Sequence, residues 1–176
     1  VARDSLWDGQ QWHAYLAQAL ARARALAPPD TRAERLAAPD AADIVLLSRV
    51  AHALEQTGGN PDEIRHYRNL AAAENEPHAQ MALGLWHARM QADGKRVAAA
   101  PGSANFKKAI RWLTLAGEQG LAEAWFALSR IYVKPEFSQR NIGDAQAYLE
   151  RAAEMGYRDA QLECGNHAWR ARREHE

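Results

Sequence analysis

Apolar and polar positions between residues 41 and 172 recur with helical spacing, and the helical stretches recur in a longer frame. From Leu113 to Ala124 the chain reads LTLAGEQGLAEA, and from Leu149 to Ala160 it reads LERAAEMGYRDA. The closing alanines stand 36 positions apart. Four residues after each comes Leu128 or Cys164, and the next residue is Ser129 or Gly165. The same frame starts upstream at Ala79, with Leu83 and Gly84, and at Asp43, with Leu47 and Ser48. An apolar residue followed by a small one predicts a helix that another helix approaches closely. The other half of each unit supplies that partner. Ile64, Tyr67 and Ala71 form one set, and Ala109, Trp112 and Ala116 another. Ala145, Tyr148 and Ala152 form a third, and spacings of three and four put each set on one helical face.

Helix boundaries follow the same frame. Asn60-Pro61-Asp62-Glu63 offers an N-cap, a proline at the first helical position and two early carboxylates. Ser103 is the expected cap of the second helix in the next unit. Asn75, Gly120 and Gly156 occupy the matching place after three second helices, where a left-handed residue ends a helix. The second unit carries nine extra residues within QADGKRVAAAPGSANF, whose Gly94, Pro101 and Gly102 predict a loop. The last unit has room for one helix only, with the polar tail RARREHE. Residues 1–39 fall outside the frame. Trp12, Tyr15, Leu16, Ala19, Leu20, Ala23 and Leu26 form an apolar stripe that ends at Pro28-Pro29. A short helix is expected to start at Asp30-Thr31, and residues 1–39 are expected to cap the repeats of 40–176.

Paired helices at a period near 36 predict an all-α fold, an α-solenoid of about three and a half units in one continuous domain. The pattern Ala-x3-Leu-Gly-x2-Tyr, a loop, then Ala-x2-Trp/Tyr-x3-Ala-Ala-x2-Gly resembles the Sel-one-like repeat, a relative of the tetratricopeptide repeat. The resemblance covers roughly residues 41–172. His87 and Ala168 replace its usual Tyr, Ser129 and Ser48 its Gly, and Asp43 its leading Ala. It implies a right-handed superhelix of antiparallel helix pairs, whose first helices line a concave groove.

Composition narrows the function classes. Hydrophobic residues make up 47% of the 176 positions and charged ones 25%, as in ordinary globular chains. No apolar stretch approaches the ~20 residues of a spanning helix, so no membrane insertion is expected. Twenty-two basic and 22 acidic side chains cancel, which argues against nucleic acid as a partner. The one cysteine, Cys164, excludes an internal disulfide.

Catalytic patterns are not found: there is no phosphate-cradling glycine loop, no Gly-x-Ser-x-Gly and no His-Glu-x-x-His. Cys164 and His167 at i, i+3 supply two ligands where structural zinc needs four, and Cys164 sits in the frame's Leu slot. No metal, cofactor or enzymatic activity is therefore expected. Trp112 and Trp12 occupy core positions of their patterns, which speaks against base-stacking platforms.

What remains is binding. The offsets −1, +2, +6, +9 and +10 from each first-helix anchor share one helical face. They select Arg49 in the first unit and Met81, Leu85 and Arg89 in the second. In the third they select Phe126, Arg130 and Lys134, and in the last helix Trp169 and Arg170. The expected partner is a protein or peptide whose acidic groups meet these cations and whose apolar groups meet the residues at +2. The resemblance implies an interaction scaffold or adaptor of a bacterial protein assembly. The alternative is an immunity or inhibitor protein that blocks a toxin enzyme. Because related bacterial proteins are commonly exported and the chain opens on Val1, a periplasmic location is expected, with the cytoplasm as the alternative.

Overall fold

The structure, a computed structural model, describes residues 9–97 and 102–174, side chains of 136–142 and 171 excepted. The described residues are helical throughout their regular structure, with one isolated antiparallel bridge, Met90 to Arg96. They divide into two compact units, 1–79 and 80–176.

In the first unit, α1 (Gly9–Leu26) packs on α2 (Ala41–Gln56), and α2 pairs with α3 (Pro61–Ala73). Asp40 caps α2 by accepting the Asp43 N–H at 2.8 Å. Asn60 caps α3 by accepting from Asp62 and Glu63, with Pro61 at the first helical position as expected. Asn75 follows α3 at φ 66°, the left-handed conformation that its slot requires. Leu47, Val50, Ala51, Tyr67, Leu70 and Ala71 are buried between the helices. From α1, Ala23 joins the buried set, whereas Trp12 stays 38% exposed, so the stripe is only partly covered.

No helix starts at Asp30-Thr31. Both the amide and the hydroxyl of Thr31 donate to the Pro28 carbonyl, which closes a turn in place of a helix. Arg35 then donates to the Glu74 carboxylate at 3.2 Å.

The division between the units falls within α4 (Pro77–Ala88). The second unit continues with α5 (Phe106–Glu118), α6 (Ala122–Tyr132), α7 (Pro135–Glu154) and α8 (Arg158–Glu174). Each of α5 to α8 packs on its neighbour in the chain. Small residues set the approach distances. A Cβ at Gly84 in α4 would lie 2.7 Å from Leu113 Cγ, and one at Gly117 would lie 2.5 Å from the Trp125 ring. Ser129, in the slot that the frame gives to a small residue, is buried and donates to the Phe126 carbonyl at 2.5 Å. Gly120 and Gly156 end α5 and α7 at φ 104° and 93°, as their slots predict.

Three expectations change here. Asn105, not Ser103, caps α5, accepting the Lys108 N–H at 3.1 Å, because it stands immediately before the first helical residue. Trp112 is half-buried and the fully buried residue of that turn is its neighbour Leu113; one helical step turns a side chain by about 100°. Tyr132 and Tyr148 are likewise half-buried, stacked on each other at 5.5 Å.

Candidate binding face of α6 and α8

Helix α6 is enclosed along most of its length, with Ala124 to Ser129 and Ile131 buried. Phe126, expected to anchor a partner, is only 4% exposed, because Tyr157, the residue before α8, covers its ring at 5.0 Å. It belongs to the core. The half-buried end of α6 begins one turn later, and the first exposed residue, Val133, follows the helix. Arg130 lies over the Phe126 ring at 4.5 Å and pairs with Glu163 of α8, which joins the two helices. Burial lowers the Arg130 pKa from its usual value and Asp93 opposes that shift.

Beside this ion pair, α6, α7 and α8 enclose a mostly apolar cleft of about 240 Å3. Arg130 and Val133 line it from α6 and the residue after it, Ala145 and Leu149 from α7, Glu163 and His167 from α8. Val133 at 54%, Leu162 at 57% and Trp169 at 55% exposure stand open to solvent in the same unit. Arg173 lies 4.8 Å over the Trp169 ring, and Arg170 beside it is exposed.

Of the eight large apolar side chains exposed among the described residues, four occupy the expected groove offsets: Val45, Val133, Leu162 and Trp169. A contiguous exposed apolar patch marks an interaction surface where single exposed residues do not, and of these four Leu162 and Trp169 share one helix, seven positions apart on α8.

The other expected contact residues are distributed as follows. Arg49 is exposed on α2 in the first unit. Met81 and Leu85 are half-buried against the core of the second unit, which withdraws them from a partner. Arg89 and Lys134 lie past the ends of α4 and α6, Arg89 in left-handed conformation at φ 54° and Lys134 as the residue before α7. Both line a second cavity with Arg96, apart from the Arg130 pair. A linear offset fails there because the helices have already ended.

Ionisable groups elsewhere serve the fold. Glu63 is buried and accepts two hydrogen bonds from Arg24, at 2.8 and 3.2 Å, and one from the Tyr67 hydroxyl at 2.8 Å. Arg24 chiefly, with Tyr67, holds the Glu63 carboxyl below its usual pKa; burial and the Glu63 charge push the Tyr67 phenol up. His87 sits in the frame's tyrosine slot, where burial first, then Lys108 and Arg89, lowers its pKa and favours neutral imidazole. Cys164 is half-buried with its thiol pKa raised by burial. Sequence periodicity did not reveal the Arg24–Glu63–Tyr67 cluster, since its partners are 39 and 4 positions apart.

Among the described residues no group of three or more His, Cys, Asp or Glu side chains converges as a metal site. No helix there is long and apolar enough to cross a membrane. No family model, curated protein or solved structure matches the chain.

Proposed function

We propose that this protein is a helical-repeat binding scaffold that holds a segment of another protein on the groove-side face of α8 and the end of α6. The observation that carries the proposal is the exposure of Val133, Leu162 and Trp169 at the offsets where first-helix residues face a groove. The helix pairs, with small residues at their close approaches, support a helical repeat; a right-handed solenoid winding is what the resemblance to the Sel-one-like repeats implies.

The partner segment buries apolar side chains against Leu162 and Trp169, and acidic groups on it meet Arg170 and Arg173. Arg130 contributes less than a linear reading suggests, because Glu163 already neutralises it. A half-exposed Trp beside Arg side chains has the composition of an interface hot spot, where truncation costs about 2 kcal/mol or more. The test is the affinity of the partner isolated from the native source for wild type and for the Leu162→Ser, Trp169→Ala double variant. About thirtyfold weaker binding with an unchanged thermal midpoint supports the proposal. Unchanged affinity in a folded variant refutes it.

A further inference from the structure

The second cavity of the 80–176 unit, about 410 Å3, lies where α4 ends and where α5 and α7 begin. Arg89, Arg96 and Lys134 bring three cations to its lining, Ser103 brings a hydroxyl, and Met90 and Phe106 bring apolar walls. No carboxylate belongs to that lining among the described residues. In a chain whose charges cancel overall, this is a local excess of positive charge. Asp93, in the adjoining turn, is engaged with Lys95 through its side chain at 3.9 Å and its amide at 2.9 Å. The Lys134 ammonium donates to the neutral Gly94 carbonyl at 3.4 Å, which leaves its charge uncompensated by that contact.

Backbone conformation supports the same conclusion. Arg89 holds φ at 54°, a conformation that costs a residue with a Cβ about 1 kcal/mol and that Gly58 adopts after α2 without that cost. The Arg89 guanidinium is held over the Trp86 ring at 4.3 Å and donates to the Trp86 carbonyl. Gly102, at φ 78°, lies beside it: a Cβ there would meet Arg89 Nη2 at 3.6 Å, an ordinary contact. The positive ends of α5 and α7 add to the field, and Lys134 gives α7 no side-chain cap.

We propose that this cavity binds a phosphate monoester dianion. Three cations favour a doubly charged group over a single carboxylate, and Arg and Lys donors match phosphoryl oxygens. The volume exceeds that of a phosphoryl group, so the carbon-bearing part of the ester lies against Phe106 and Met90. This site does not depend on the α6–α8 face.

The test is an amide NMR titration of the full chain with inorganic phosphate at constant ionic strength, beside a matched chloride titration. Saturable shifts of the Arg89, Ala104 and Phe106 amides, absent with chloride, are expected. The Arg96→Gln, Lys134→Gln double variant should bind at least about tenfold more weakly. Should that variant fold poorly, Arg96→Gln alone changes an exposed side chain and should still weaken binding about threefold. A phosphoserine peptide and ribose 5-phosphate, titrated in parallel, separate the two sources of the ester. Whichever binds more tightly than inorganic phosphate, and weakens in the variant, carries it. Shifts that follow chloride, do not saturate or persist unchanged in the variant overturn the proposal. Shifts confined to α6 and α8 do so as well.

Discussion

Replacing Leu113 and Gly84 together tests the close approach of α4 and α5. Leu113 is 0% exposed, and its Cγ would lie 2.7 Å from a methyl at Gly84. Leu113→Ala removes three buried carbons and leaves a cavity, at about 3 kcal/mol within the usual ~2–5 range. Gly84→Ala gains about 1 kcal/mol of helix propensity. It also forces the new methyl against Leu113, and overpacking costs about 1–3 kcal/mol. The net effect of the single change is therefore about 0–2 kcal/mol of destabilisation. In the Leu113→Ala background the clashing atoms are gone. The Ala109 carbonyl, 3.2 Å away, still crowds the methyl. The double variant should be more stable than the sum of the singles by about 1–2 kcal/mol. Urea unfolding followed by far-ultraviolet circular dichroism measures this, with a common m-value as the condition for comparing free energies. Additivity within about 0.5 kcal/mol would show that the two helices do not meet at this pair and would refute the packing of Leu113 against Gly84.

Three further outcomes follow from individual residues. Trp112→Ala should cost less than Leu113→Ala, because the indole is half-buried, and paired urea midpoints decide the order. Asn75→Gly should match or exceed wild-type stability, while Asn75→Ala should lose about 1 kcal/mol, since φ at this position is 66°. The Glu63 carboxyl has a depressed folded pKa, so its contribution is full above the unfolded value of about 4.5 and is lost as pH falls through the folded value. Acid unfolding of Glu63→Gln should therefore begin from a lower plateau and vary less with pH than wild type; parallel acid titrations check this.

Legibility in the sequence followed the range of the forces involved. The left-handed slots at Asn75, Gly120 and Gly156 and the Asn60-Pro61 cap were readable because a few adjacent residues decide them. Helix pairing was readable from small residues at fixed offsets. The buried face of α5 was not, since Trp112 and Leu113 are both apolar and only the position of Gly84 selects Leu113. Phe126 looked available until Tyr157, just before α8, covered it, and Arg130 looked free until Glu163 met it. Both corrections come from residues 31 and 33 positions downstream, beyond the reach of helical periodicity. The cavity of Arg89, Arg96 and Lys134 combines three chain segments, and no offset within one helix gathers them.

The partner face is tested most directly by site-specific photo-crosslinking in the native host. Benzoylphenylalanine at Leu162 and at Trp169 on α8 is compared with the same group at Arg111 on α5 and Glu150 on α7, all four being exposed positions. A discrete adduct of one partner from positions 162 and 169, and none from 111 and 150, is predicted. Adducts from 111 or 150 in preference to 162 and 169 would contradict the claim that α8 carries the binding face.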